Sequence, residues 1–190
     1  MTLRWLPNAI SVFRIILVVP VIVFIQDGMF AEALTVFFVA GVSDGVDGFL
    51  AKRFNWHTRL GALLDPVADK LLVASSYVTL AMVAQIPPWL AVVVVLRDAV
   101  ILGGATAYNF LIAPVQGEPT RISKLNTVLE ILLVIGVLAR AAFDWPAADV
   151  ITVLGAGVLV TVVISGADYV VAWSQRARQA TEQQGENDEG

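Results

Sequence analysis

The sequence predicts an all-α membrane protein in which six transmembrane helices surround a polar cleft that faces the cytoplasm. Hydrophobic residues make up 58% of the 190 residues, charged residues make up 15%, and the mean hydropathy is +0.80. This apolar content is more than a soluble domain of that size can bury. Apolar stretches long enough to cross a ~30 Å hydrocarbon core recur along the chain. Because lipid offers no partners to backbone polar groups, these stretches are expected to be helical.

The predicted spans follow from hydropathy and from the turn-forming residues between them. They are residues 8–26, 31–54, 64–84, 88–112, 124–142 and 148–173. Gly28, Pro87 and Pro146 lie in three of the breaks. We assign residues 1–173 to one membrane domain and residues 174–190 to a polar tail, whose composition predicts disorder.

Basic residues cluster on one side of the predicted bundle. They are Arg4, Lys52, Arg53, Arg59, Arg121, Lys124, Arg176 and Arg178. The loops on the other side contain Asp27, Asp144 and Asp149 with Arg140 as their basic residue. The positive-inside rule therefore places both termini in the cytoplasm, and we expect a multi-pass protein of a bacterial cytoplasmic (inner) membrane.

Composition also limits the chemistry of any site. The chain has no Cys, so thiol nucleophiles, disulfides and thiolate metal sites are excluded. The one His, His57, lies in a polar loop and is expected to be solvated. Carboxylate oxygens remain as metal ligands, which favours hard cations. Nothing in the charge pattern suggests nucleic-acid binding.

Four aspartates form the most informative cluster. Asp44 and Asp47 are three residues apart, and Asp65 and Asp69 are four apart, so each pair shares one face of a predicted helix. Four carboxylates in one helical hairpin repel each other unless a cation lies between them. We therefore predict a site for Mg²⁺ or Mn²⁺, with two ions bridging a diphosphate during substitution at phosphorus.

Small residues flank these carboxylates. Gly48, Ala51 and Gly61 would let a flat nucleotide approach the backbone closely, so we assign them to nucleotide binding. A purely structural interpretation is that Asp65 caps the helix that continues with Pro66.

The same interpretation would pair the other aspartates with nearby basic side chains. Asp44 and Asp47 would then be neutralised by Lys52, Arg53 and Lys70.

The segment from Asp44 to Asp69 resembles the signature D-x2-D-G-x2-A-R-x8-G-x3-D-x3-D of the CDP-alcohol phosphatidyltransferases. Lys52 stands where the family usually has Arg, which keeps the charge but not planar bidentate phosphate binding. The resemblance implies that Asp44, Asp47 and Asp65 bind metal. It implies that Asp69 binds metal and acts as the base toward the acceptor hydroxyl, and that Lys52 contacts the nucleotide diphosphate.

The resemblance extends beyond the signature to most of the chain. Asn8, Ser11 and Arg14 match the family's entry to the first helix, and Arg97 and Lys124 fall where members have basic residues. We predict that these side chains bind the acceptor or substrate phosphates. Family membership also implies CDP-diacylglycerol as donor and a homodimer of six-helix protomers.

Arg14 and Arg97 lie inside predicted spans, where a charge needs a partner or a function. Structural pairing with Asp98 or Glu130 is the alternative to phosphate binding.

The acceptor is predicted from residues outside the signature. The segment from Pro119 to Thr127 resembles the CMP-forming cardiolipin synthases, whereas phosphatidylglycerophosphate synthases usually have a second Lys where Asn126 stands. A phosphomonoester has nearly two charges and a phosphodiester has one, so Asn126 favours a lipid acceptor. We expect phosphatidylglycerol to react with CDP-diacylglycerol, giving cardiolipin and CMP.

Three other functions remain open at this point. Glycerol 3-phosphate would be the acceptor in a phosphatidylglycerophosphate synthase with the same chemistry. A metal-ion transporter would also place carboxylates in the membrane, but it would need a path across the bilayer. A noncatalytic membrane subunit would need no acidic cluster.

Overall fold

The computed structural model describes the backbone of residues 6–54, 59–111 and 121–166. Side chains are described for residues 9–43, for Gly45, and for residues 67–103 and 122–166. Within these ranges the chain is helical apart from short turns. His57, the loop before Arg121, Asp168 and the predicted tail lie outside the described residues.

The described residues form six helices joined in chain order. They are α1 (Leu6–Gln26), α2 (Phe30–Phe54), α3 (Arg59–Met82), α4 (Pro88–Leu111), α5 (Arg121–Phe143) and α6, described over Ala148–Gly166. Apart from the start of α3, these positions agree with the predicted helices as far as the structure describes them.

The start of α3 differs from the prediction, because the helix begins at Arg59 rather than at residue 64. Hydropathy detects the apolar part of a helix and misses a polar first turn. Asp65 is therefore inside α3, and the interpretation of Asp65 as a helix cap is wrong. Each aspartate pair lies on a continuous helix, as its spacing requires.

The turn between α1 and α2 is a Schellman motif. Gly28 has φ +74°, its N–H donates to the carbonyl of Ile25, and the N–H of Met29 donates to the carbonyl of Phe24. Ala84 takes the same left-handed conformation after α3, where the N–H of Gln85 donates to the carbonyl of Leu80. These tight turns reverse the chain, so α1 and α3 each lie antiparallel to the helix that follows.

An apolar core holds the helices together. α1 packs against α2 and α3, α2 also contacts α5, and α3 contacts α4 and α5. α6 approaches α5 closely at Gly136, where an added Cβ would lie 3.0 Å from Cδ1 of Ile151. The largest fully buried apolar side chains are Tyr77, Ile25, Leu80, Leu133, Leu138, Val21, Val94, Val134 and Val158.

The outer surface of the bundle is also apolar. Ile16, Val19, Leu96, Val153 and Val163 are each at least 59% exposed. Exposed apolar side chains on every side are expected where lipid is the solvent. Among the described residues, three stretches are long and apolar enough to cross a membrane: Ala9–Gln26, Ile122–Phe143 and Ala148–Gly166.

The apolar part of α2 is shorter and ends at Ser43, immediately before the first aspartate of the acidic cluster. α2 therefore changes from an apolar helix to a polar one at the candidate site.

Candidate active site

The four aspartates lie on two helices that contact each other. Asp44 and Asp47 belong to α2, and Asp65 and Asp69 belong to α3. Since both segments are helical, each pair lies on one helix face. Both helices pack against α1, so α1 is a common support for the two pairs.

Of these four side chains, the structure describes that of Asp69, which is half-buried and makes a polar interaction. Gly48, Ala51, Lys52 and Gly61 are placed on α2 and α3 by their backbone. Within the described side chains, no group of three or more His, Asp or Glu converges on a metal position. The acidic cluster is therefore defined by helix position and not by carboxylate distances.

The donor chemistry fits a hard divalent cation. Carboxylate oxygens are ligands that Mg²⁺ and Mn²⁺ accept, and two aspartate pairs on adjacent helices offer several of them. Without a bound cation, four acidic groups would lie close to the apolar stretch of α2 with their negative charges uncompensated by metal. This composition is compatible with the predicted two-ion site.

α1 supplies a buried cation next to α2 and α3. Arg14 and Ser11 are both fully buried, lie three residues apart on α1, and make polar interactions within the protein. A buried guanidinium is stable only when its charge and its N–H groups have partners. Asn8, three residues before Ser11, also lies on α1, although its side chain is outside the described set.

Arg97 on α4 is held by protein groups. Its Nη1 atom lies 2.7 Å from Oδ1 of Asp98, and its Nη2 atom donates to Oγ of Ser123 at 3.0 Å and Oγ of Ser165 at 2.6 Å. Arg97 is 8% exposed and Asp98 is 6% exposed. These contacts favour structural ion pairing over direct phosphate binding for Arg97.

A second set of polar contacts surrounds Lys70, the residue after Asp69. Its Nζ atom lies 2.8 Å from Oδ2 of Asp98 and 3.7 Å from Oε2 of Glu130. Among the described side chains, Lys70 thus forms ion pairs with α4 and α5. The predicted pairing of Asp44 and Asp47 with Lys52, Arg53 and Lys70 falls on aspartate side chains outside the described set.

Asn126 is fully buried inside this set. Its Nδ2 atom donates to Oε1 of Glu130 at 2.5 Å, and its Oδ1 atom accepts from Oγ1 of Thr161 at 2.8 Å. Both ends of the amide are therefore used by the protein. Lys124, two residues earlier on α5, is exposed and remains accessible to a ligand.

Sequence reasoning missed these contacts between helices. It named Asp98 and Glu130 only as possible partners of arginines, and it did not include Thr161 or Ser165. The available signal was polar residues one turn apart within apolar segments, as in Asn126 and Glu130.

An apolar groove of about 470 Å³ runs between α1 and α2 toward the acidic cluster. It is lined by Ile10, Phe13, Phe38, Val39, Val42 and Ser43. The groove reaches Ser43, the residue before Asp44, so an apolar chain lying in it would end beside the aspartates.

These features define a helical, membrane-type protein with an acidic site and buried cations beside it. The family model for CDP-alcohol phosphatidyltransferase matches residues 4–173. The chain therefore belongs to the CDP-alcohol phosphatidyltransferase family, a family of transferases. This confirms the resemblance read from the Asp44 to Asp69 signature.

Curated relatives with two different names match the chain. The cardiolipin synthase (CMP-forming) of Homo sapiens is 33% identical over 156 residues, which cover 74% of this chain and 52% of the relative. A cardiolipin synthase (CMP-forming) / mitochondrial hydrolase fusion protein of Schizosaccharomyces pombe is 32% identical over 184 residues, covering 88% of this chain and 31% of the relative.

The second name is CDP-diacylglycerol–glycerol-3-phosphate 3-phosphatidyltransferase. That protein of Escherichia coli strain K12 is 51% identical over 78 residues, covering 38% of this chain and 42% of the relative. The chain spans about half or less of the length of these relatives.

Proposed function

We propose that this protein transfers the phosphatidyl group of CDP-diacylglycerol to the hydroxyl of phosphatidylglycerol, giving cardiolipin and CMP. The observation that supports phosphatidyl transfer most directly is the pairing of aspartates on two contacting helices, α2 and α3. The acceptor is supported by the cardiolipin synthase relatives and by the Pro119 to Thr127 segment.

Asp44, Asp47, Asp65 and Asp69 would hold two Mg²⁺ or Mn²⁺ ions. When bound there, such ions neutralise negative charge on the diphosphate and on the leaving CMP. Asp69 accepts the proton of the acceptor hydroxyl as the hydroxyl oxygen attacks the phosphorus of the phosphatidyl group. The new P–O bond forms while the bond between that phosphorus and the CMP oxygen breaks.

The other residues bind and orient substrate. Gly48, Ala51 and Gly61 leave room for the nucleotide, and Lys52 contacts its diphosphate. The groove between α1 and α2 accommodates an acyl chain of the donor, which places the diphosphate at the end of the groove beside Asp44.

The remaining contacts are to phosphate groups. Asn8, Ser11 and Arg14 on α1 form the inner side of the site, and the exposed Lys124 meets the acceptor phosphate. Arg97 supports the site indirectly, because its guanidinium forms an ion pair with Asp98.

We also propose that all six helices span a bacterial cytoplasmic membrane, with the site open to the cytoplasm, and that two protomers associate. The apolar outer surface supports the spans. Light scattering of the detergent-solubilised protein measures the association, and a monomer would contradict it.

The decisive experiment gives the purified protein CDP-diacylglycerol with phosphatidylglycerol and glycerol 3-phosphate competing in one detergent mixture. Mass spectrometry of the lipids should find cardiolipin, and CMP release should require Mg²⁺ or Mn²⁺. Phosphatidylglycerophosphate without cardiolipin would contradict the acceptor but leave the family unchanged. Absence of CMP release with every acceptor would contradict the proposed reaction itself.

Phosphatidylglycerophosphate synthesis is the second candidate. It is favoured by the 51% identity with the Escherichia coli relative over 78 residues. The same competition experiment separates the two, because the products differ in mass.

A further inference from the structure

We propose that Lys70 is a positioning residue that fixes the rotation of α3 and so aims Asp69 at the metal site. This inference rests on the metal assignment made above. Lys70 directly follows Asp69 on α3 and forms ion pairs with α4 and α5.

The ammonium group of Lys70 points into the protein. The side chain as a whole is 24% exposed, yet its Nζ atom is buried between Asp98 and Glu130. The exposed part is therefore the aliphatic stem, the reverse of the usual arrangement in which a lysine buries its stem and keeps its ammonium group in water. A charge held in this way binds protein groups and not a substrate phosphate.

Both partners of Lys70 are themselves held in place. Asp98 is paired with Arg97, which donates to Ser123 on α5 and Ser165 on α6. The contacts on Lys70 therefore tie α3 to three other helices.

Glu130 is held at two points. Its carboxylate accepts from Asn126, whose own carbonyl accepts from Thr161 on α6. Its backbone carbonyl accepts from the hydroxyl of Tyr77, two turns further along α3 from Lys70, at 3.3 Å. α3 is thus fixed to α5 at two levels.

Among the described side chains, the formal charges of this cluster balance. Lys70 and Arg97 contribute two positive charges, and Asp98 and Glu130 contribute two negative charges. Loss of one partner of a buried ion pair leaves an uncompensated buried charge, which is strongly destabilising. The described partners of Lys70 are protein groups, so we assign the cluster a positioning role.

Fixing Lys70 fixes the direction of Asp69. Adjacent residues on a helix are separated by about 100° and 1.5 Å, so the two side chains turn together as a rigid unit. Metal ligands must be held to within roughly 0.5 Å and 10–20° to be productive. A small rotation of α3 would exceed that tolerance.

The test compares Mn²⁺ binding, measured by electron paramagnetic resonance of the free ion, in the wild type and in Lys70→Met/Glu130→Gln. The double variant removes one charge of each sign, so it leaves the cluster neutral. We expect Mn²⁺ binding to weaken by about tenfold or more. Lys70→Met alone should also weaken Mn²⁺ binding. If Lys70 acted only by repelling the dication, this variant would bind Mn²⁺ more tightly, and that result would contradict the positioning role.

The matched control is Ser76→Ala. Ser76 is buried on the same helix, and its described hydrogen bond, to the carbonyl of Leu72, stays within α3. This variant should bind Mn²⁺ like the wild type.

A folded double variant with wild-type Mn²⁺ affinity would overturn the positioning role and leave the proposed reaction intact. Failure of the wild type to bind Mn²⁺ would instead contradict the metal assignment, and the positioning role with it.

Discussion

Replacement of any one of the four paired aspartates by Asn should lower the rate of CMP release by at least about a hundredfold. Asn keeps the shape but removes the charge that a metal ligand or base needs. Combined replacements should lose far less than the product of the single losses, because the four residues act as a unit. CMP release at saturating Mg²⁺ measures this.

Asp27→Asn is the control for these variants. Asp27 is an exposed aspartate in the turn after α1, at the opposite end of α2 from Asp44 and Asp47, and its replacement should leave the rate unchanged. Near-normal rates in two of the four site variants, with the fold intact, would contradict the metal assignment.

The contacts of Asn126 give a prediction that separates two roles. Asn126→Leu removes the amide that joins Glu130 to Thr161, so the unfolding free energy should fall by about 1–3 kcal/mol. The ratio of cardiolipin to phosphatidylglycerophosphate made from competing acceptors should not change. Thermal unfolding in detergent and product analysis measure the two effects.

Thr127→Val is the matched control, since the hydroxyl of Thr127 bonds within α5 to the carbonyl of Ser123. If Asn126 contacts the acceptor directly, as the sequence alone predicts, the product ratio would change instead. Asn126→Lys would then favour glycerol 3-phosphate by roughly 1 kcal/mol.

The sequence predicts the placement of the aspartate pairs on two helices better than it predicts the polar cluster around Lys70. Spacings of three and four residues place two aspartates on one helix face wherever the helix lies. The partners of Lys70 depend instead on how α3, α4 and α5 are rotated against each other. That rotation follows from packing, which one sequence does not reveal.

Close packing of α5 on α6 depends on Gly136. A Cβ there would lie 3.0 Å from Cδ1 of Ile151 and 3.6 Å from Cδ1 of Leu154. Small residues let membrane helices approach closely, and a larger side chain pushes them apart. Gly136→Leu should lower the unfolding free energy by about 1–3 kcal/mol, measured by thermal unfolding in detergent.

Gly103→Leu provides the comparison. Gly103 is exposed on α4, and an added Cβ there meets no described atom within 4 Å. Equal losses in both variants would show that leucine is unfavourable for a reason other than crowding between α5 and α6.

Helix positions were predictable because each apolar stretch ends at a turn that its residues favour. Gly28 adopts the left-handed conformation that ends α1, and Pro88 begins α4, where its missing N–H costs nothing. The early start of α3 was not predictable from hydropathy, because its first turn contains the charged Arg59 and the weak helix former Gly61. The turn belongs to the helix but not to its apolar span.

Buried charged side chains and most apolar core side chains differ in their positions along the helix axes. Arg14, Lys70 and Glu130 lie in the halves of their helices that face the predicted cytoplasmic ends, and Asp98 lies near the middle of α4. Val21, Ile25, Leu80, Leu138 and other apolar side chains fill the opposite half of the core. The charged half of the core therefore lies at the same end as the aspartate pairs.

The turns and the charge distribution predict the orientation of the bundle in the membrane. Tight turns join α1 to α2, α3 to α4 and α5 to α6, so an up-and-down order places these turns on one side. Charge bias puts that side away from the cytoplasm. A cysteine replacing Ala147, between α5 and α6, should react with a membrane-impermeant maleimide added to intact cells.

A cysteine replacing Asn55, between α2 and α3, should react only after the cells are opened. The native chain has no Cys, so it provides an unlabelled background. Both variants should retain CMP release, which shows that the labelled molecules are folded. Labelling of the Asn55 variant in intact cells, with protection of the Ala147 variant, would mean that the bundle is inverted. The aspartate site would then face away from the cytoplasm. We expect CDP-diacylglycerol to be used on the cytoplasmic side.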